Sequence, residues 1–169
     1  MRDHFKMMAG YNAWSNERLY DAAAGLSDAD YRADLGAFFK SVHGTLNHIL
    51  VGDRVWLSRF TGTGPAPTAL DEILYEDLDS LRAARRAEDA RIVRFVDGLD
   101  ADRLASVLRY RALSQPVEVT YPLLPALHHF FNHQTHHRGQ VTALLTRLAV
   151  EAPSVDLVYF NLETGIGLG

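Results

Sequence analysis

The segment Leu123–Leu148, LLPALHHFFNHQTHHRGQVTALLTRL, reads as one long helix, with Pro122 and Pro125 suited to its first turn. Inside it, LHHFFNHQTHHRGQV at Leu127–Val141 holds five of the eight histidines of the chain: His128, His129, His133, His136 and His137. Residues four apart on a helix lie one above the other, so His129/His133 and His133/His137 are two overlapping same-face pairs. Such a pair can grip one transition-metal ion, because neutral imidazole is a good ligand for zinc, nickel, copper and iron. Spacing alone does not choose between the two pairs.

Outward from this segment, three more stretches read as helices. Asp3–Ala24 has Phe5, Met8, Tyr11, Ala13, Leu19 and Ala22 as a broad apolar face, with Gly25 placed to stop it and Ser27–Asp30 as a cap and short turn behind. Ser41–Phe60 repeats Val42, Leu46, Ile49, Leu50, Val55, Trp56 and Phe60 at three- and four-residue steps, and Thr61–Pro67 ends it in a loop. Asp77–Leu99 is more charged, with Leu78, Leu81, Ile92, Val93 and Val96 as its expected buried stripe. Its Arg82, Arg85, Arg86, Arg91 and Arg94, interleaved with Glu88 and Asp89, read as a solvated face with local ion pairs.

Between Ser106 and Tyr121 the pattern changes to Val107, Leu108, Tyr110 and then Val117, Val119, Tyr121, with Ser114-Gln115-Pro116 between them. This predicts a small β-hairpin or an irregular extended loop. Val155–Leu162 reads as a last helical turn or a packing tail. Four long helices with one long crossover predict an all-α protein, a four-helix bundle, as a single domain over 1–169.

The 169 residues are 47% hydrophobic, enough for a real core. A formal charge of −4 argues against a nucleic-acid partner held by phosphate neutralisation. No stretch approaches the ~18 apolar residues of a membrane span, and no signal peptide stands at the N-terminus, so a cytoplasmic protein without a membrane partner is expected. The chain has no cysteine, so a metal site must use nitrogen and oxygen ligands, and any thiol in its chemistry must be a cosubstrate.

A third ligand candidate is His48, in the apolar run LNHILVGDRVW. An isolated histidine on such a face is ordinarily a hydrogen-bonded core residue, but a second helix already carries an imidazole pair. A His48–His133–His137 site has three nitrogen ligands and leaves positions open for water or substrate. His43, five residues earlier, lies ~140° away around the helix and is not expected at the same ion. His4 is expected in solvent. Peptide hydrolysis of the zincin type is disfavoured, because Gln134 stands where that motif needs glutamate. Asp53 either orients an imidazole or pairs with Arg54 or a neighbouring helix. Asn12, Asn16 and Gln140 are candidates to hold an imidazole N–H or a substrate, and Arg138 to hold a substrate anion or form an exposed ion pair.

Three stretches, YNAWSNERL at Tyr11–Leu19, GTLNHILVGDRVWL at Gly44–Leu57 and NHQTHHRGQ at Asn132–Gln140, make the chain similar to the DinB/YfiT-like metalloenzyme family, over nearly its whole length. The resemblance implies an up-down-down-up bundle holding a divalent metal, zinc or nickel, on His48, His133 and His137, with His129 and His136 in supporting roles. It also implies a homodimer acting on a small-molecule substrate. Some relatives transfer low-molecular-weight thiols and a related branch isomerises maleylpyruvate with a thiol cofactor, whereas many have no assigned reaction, so function transfers less well than fold. The expected activity is that of a metal-dependent enzyme acting on a small molecule, with a thiol cosubstrate or water at the metal: a thiol-dependent transferase, with a metal-dependent hydrolase as the close alternative. Its rivals outside that class are a non-catalytic, stress-related metal-binding bundle and a plain helical interaction module with no metal. No catalytic side chain beyond the ligands is implied.

Overall fold

A computed structural model describes residues 1–113 and 117–166 of the chain. The elements are, in order, α1 (Arg2–Ala23), α2 (Asp28–Arg32), α3 (Val42–Thr61), α4 (Leu78–Asp97), α5 (Ala101–Ala105), β1 (Val107–Arg111), β2 (Glu118–Pro122), α6 (Leu123–Arg147) and α7 (Leu157–Thr164). The helix starts follow capping chemistry. Ser27, Ser41 and Asp77 each accept a backbone N–H from three residues on, Asp30, Gly44 and Ser80, satisfying one of the orphan donors of a first turn. Gly62 closes α3 at φ +73°, where a side chain would be strained.

Cross-helix contacts fix the direction of each long helix. Lys6 meets Asp97 while Glu17 meets Arg82, so α1 and α4 run antiparallel. Phe5 meets Phe131 while Asn12 meets Arg138, so α1 and α6 run parallel. His48 meets His137 while Phe60 meets Phe130, so α3 and α6 are antiparallel. Asp53 meets Arg85 while Phe60 meets Phe95, so α3 and α4 are parallel. The result is a four-helix bundle of up-down-down-up type, and the chain from Gly62 to Asp77 is the long crossover that two parallel neighbours require.

The core is divided. Phe5, Ala9, Leu57, Phe60, Ile92, Val96, Phe130 and Phe131 belong to one buried apolar cluster. Leu19, Tyr20, Leu46, Ile49, Leu50, Leu81, Val141, Leu144 and Leu145 belong to another. Each large side chain so buried contributes roughly 1.5–3 kcal/mol before entropy is counted. Between the two clusters lie buried polar side chains: Asn12 and Asn16 on α1, Asp53 on α3, Arg85 and Asp89 on α4, Gln134, His137 and Arg138 on α6, with buried His48 of α3 meeting His137. The site lies in this layer.

Three expectations are corrected or completed. The buried stripe of α4 is Leu81, Arg85, Glu88, Asp89, Ile92 and Val96, whereas Val93 is exposed. Arg85 is therefore an interior residue, only 2% exposed, and not part of a solvated face, because α3 presents Asp53 to it and its own helix Asp89. The region Ser106–Tyr121 forms an antiparallel hairpin with Val107 opposite Pro122 and Arg111 opposite Glu118, preceded by the short helix α5. The hairpin is braced on the bundle by buried Leu108 and by Tyr110 against Trp56, the packing support a lone hairpin needs. The expected connection at Ser114-Gln115-Pro116 lies outside the described residues. The tail forms α7, which seats Phe160 against Tyr11 and Trp14 of α1.

Candidate metal centre

His48 of α3 and His133 and His137 of α6 converge. His48 Nε2 lies 3.1 Å from His137 Nε2, which lies 3.1 Å from His133 Nε2. One nitrogen from each of the three lies within 4.8 Å of the others. The other ring nitrogens decide what these contacts are. His48 Nδ1 is 2.7 Å from the backbone carbonyl of Leu70, which only accepts, so the proton sits on Nδ1. His137 Nδ1 is likewise 2.7 Å from Gln140 Oε1, with the amide placed as an acceptor. Both Nε2 atoms then carry bare lone pairs, and two lone pairs facing each other at 3.1 Å repel unless a cation lies between them. Metal–imidazole bonds of ~2.0–2.1 Å set neighbouring nitrogens roughly 3.0–3.4 Å apart, so the donor set and its spacing fit a divalent ion.

Electrostatics favour the ligating form. Burial, with neighbouring imidazoles, brings His133 down to about 3. Burial outweighs the Leu70 hydrogen bond and brings His48 down to about 4. His137 is lowered by burial against the opposing pull of Gln140. All three are neutral at neutral pH, as metal ligands must be.

The surrounding side chains hold the rings in place. Phe39 stacks on His48 with centroids 3.7 Å apart and meets His137 edge-on. The carbonyl of Phe39 presses on Gly44, where a Cβ would stand only 2.2 Å from the oxygen. Gly52 gives His133 room: a Cβ there would lie 2.9 Å from His133 Cε1, closer than real contacts allow. Phe39, Gly44, Gly52 and the Leu70 carbonyl were not singled out from the sequence. The two glycines were the available signal, as interruptions of an otherwise strong helical pattern.

The remaining predicted residues separate. His43 bonds the Tyr75 carbonyl at 3.1 Å, away from the trio, and His4 is exposed beside His128. His129 stays outside the trio, 5.7 Å from His133 between ring centres, and His136 faces Gln140. Of the amide candidates, Gln140 holds an imidazole, whereas Asn12 and Asn16 donate to Asp89 at 2.9 and 3.1 Å. Asp53 takes the pairing role, accepting from Arg85 Nη1 at 2.6 Å and Gln134 Nε2 at 2.8 Å. Burial pushes its carboxyl up to about 6 against the pull of Arg85 and Gln134. Arg138 is not an exposed ion pair: it is 1% exposed, donates to Asn12 and Thr135, and stacks over Tyr11.

A cavity of about 330 Å³ adjoins the trio. His48, Gly52 and His133 form one end; Val55, Trp56, Arg59, Leu70, His129 and hairpin residues Tyr110, Ala112 and Leu113 form the rest. The volume is at the lower end of small-molecule sites.

An up-down-down-up helical bundle with three convergent histidines, one on the second long helix and two on the last, defines a class of helical-bundle proteins with a group that could hold a metal ion. The chain belongs to the DinB family, whose family model matches residues 1–165. It is 25% identical over 168 residues to Protein DinB of Bacillus subtilis (strain 168), covering 92% of each chain. Among solved structures it is similar to a DinB-like protein from Bacillus cereus ATCC 10987, with a TM-score of 0.65 and 19% identity over 84% of this chain and 91% of that one, a likeness of fold. Among the described residues no helix is long and apolar enough to cross a membrane.

Proposed function

We propose that the protein is a divalent-metal-dependent enzyme that transfers a low-molecular-weight thiol to a small electrophile, with His48, His133 and His137 holding zinc or nickel. The observation that carries this reading is the convergence of imidazole lone pairs whose Nδ1 protons are committed elsewhere. A divalent ion on three neutral imidazoles keeps its full charge and lowers the pKa of a thiol or water bound to it. The chain's own residues do the rest. Leu70 and Gln140 fix the tautomers, Phe39 covers one side of His48, and the cavity beside His48 and His133 leaves room for substrate. Gln134, the residue between the α6 ligands that a zincin would need as glutamate, is turned to Asp53, which weighs against hydrolysis by that route. A purely structural ion would be closed by a fourth protein ligand; the described cluster offers three, beside a cavity. The reading carries with it a homodimer, checked by sedimentation equilibrium.

The test uses protein purified without a polyhistidine tag. About one zinc or nickel per chain is expected, together with metal-dependent conjugation of a thiol to a chromogenic electrophile. No bound metal after supplementation overturns the metal site. Full metal occupancy without turnover by any thiol overturns the transferase assignment.

A further inference from the structure

His48, Gly52, Val55, Trp56 and Arg59 fall on one face of α3 at steps of four, three, one and three, and all line the cavity. Arg59 is eleven residues beyond His48, ~16 Å along the helix axis, so it stands at the far end from the histidines. Helical side chains lean toward the N-terminus, and Arg59 leans back over Trp56, its guanidinium carbon 4.7 Å from that ring centre and 4.2 Å from the centre of Tyr110. Stacking occupies the faces of a guanidinium and leaves its edge N–H groups free.

Arg59 differs from Arg54, Arg85 and Arg91, each of which faces a glutamate or aspartate. Among the described residues no carboxylate pairs with Arg59, and the described cavity wall contains no Asp or Glu. Burial lowers its pKa, opposed only by Tyr110. A half-buried cation costs desolvation energy; stacking on Trp56 and Tyr110 offsets part of it, and among the described residues no carboxylate supplies the rest.

We propose that Arg59 is the anchor for an anionic group, carboxylate or phosphate, on the small molecule that occupies this cavity, making it a specificity-determining residue. The inference rests on the metal-enzyme reading only in placing the reactive end of that molecule at His48 and His133. The substrate class is a small organic anion with an apolar middle against Val55, Trp56 and Tyr110. The planar fork of Arg59 matches either head group with paired hydrogen bonds.

The test compares binding of a length series of ω-mercaptoalkanoates with mercaptoalkanols and mercaptoalkylphosphonates of equal length. Binding is read twice: by thiolate charge-transfer absorption in Co(II)-loaded protein, and by tryptophan fluorescence with or without metal. In the wild type the better of the two anions should bind roughly 10- to 100-fold tighter than the alcohol, the value of a hydrogen-bonded charge pair. Which anion is preferred identifies the head group. Arg59→Met should bring that ratio toward unity, and Arg59→Gln, which keeps length and polarity, carries the same expectation should the first variant not fold. Equal binding of anion and alcohol in the wild type, or an unchanged ratio in the variants, overturns the proposal. Failure of Co(II) to load counts against the metal reading alone, because the fluorescence ratio still reads the anion site.

Discussion

Helix α6 carries two polar pairs, each four residues apart and one residue out of step: His133/His137 and Gln134/Arg138. Both enter the polar layer of the bundle, with opposite chemical results. Gln134 and Arg138 join Asp53, Arg85, Asp89, Asn12 and Asn16 in a network in which two carboxylates and two guanidinium groups balance in charge and most donors meet an acceptor. His133 and His137 join His48 in a group that is neutral, lone-pair rich and beside a cavity. The first region balances its charge within the protein; the second presents lone pairs that could hold a cation. Burial alone therefore does not distinguish a structural polar cluster from a functional one. The balance of charge and protons does.

The largest expected effect separates the two regions. Arg85→Met leaves Asp53 and Asp89 buried without their shared cation, and breaking such a pair costs about 3–5 kcal/mol. For a chain of this length that lowers Tm by about 10 °C, measured by calorimetry. Metal content at a temperature where the variant is folded should be unchanged. His137→Ala should do the reverse: metal affinity falls by at least ~100-fold, beyond the usual cost of losing an outer partner, while the metal-free protein keeps near wild-type stability. If folded Arg85→Met loses its metal, or His137→Ala keeps it, the two regions are not independent.

That division was only half visible in the chain. Helix ends were legible because Ser41, Asp77 and Gly62 act locally. The trio was legible because four-residue spacing puts imidazoles on one face, with the family resemblance choosing His133/His137 over His129/His133. The network was not legible. Arg85 stands among charged residues at helical spacing, and such a run reads as solvated until Asp53 is known to face it from α3. The Leu70 carbonyl was invisible for a different reason, since a backbone atom in a loop contributes whatever its side chain.

A finer test acts at the boundary between the regions, where Gly52 precedes Asp53. Gly52→Ala adds a carbon that would sit 2.9 Å from His133 Cε1, so the ring must shift while Asp53 keeps its partners. Alanine in a helix interior gains roughly 0.5–1 kcal/mol over glycine, which offsets part of the steric cost. Stability should therefore change by under ~1 kcal/mol, while metal affinity falls about tenfold as the displaced imidazole loses its geometry. Isothermal titration with zinc and thermal melts of the metal-free protein measure the two. Unaltered affinity would mean that His133 adapts and that the close approach has no bearing on the metal.

The smallest effect compares buried with exposed charge on one seam. Asp89 ties α4 to α1 from inside through Asn12 and Asn16, and Glu17 ties the same helices from outside through Arg82 and Arg86. The Arg86 hydrogen bonds, with those of Arg82, outweigh partial burial and hold the Glu17 carboxyl down to about 2 from an ordinary 4.5. A carboxyl lowered on folding stabilises above its unfolded value, and that contribution is lost as pH falls from 4.5 toward 2. Glu17 is more than a third exposed, so solvent screening limits its worth to about 0.5 kcal/mol. Glu17→Gln should cost about that much at pH 7, and its deficit should shrink through the acid range in urea melts. Carbon-13 titration of the Glu17 carboxyl reads the cause directly. A midpoint at the ordinary value, with no deficit at pH 7, would leave the seam held from inside alone.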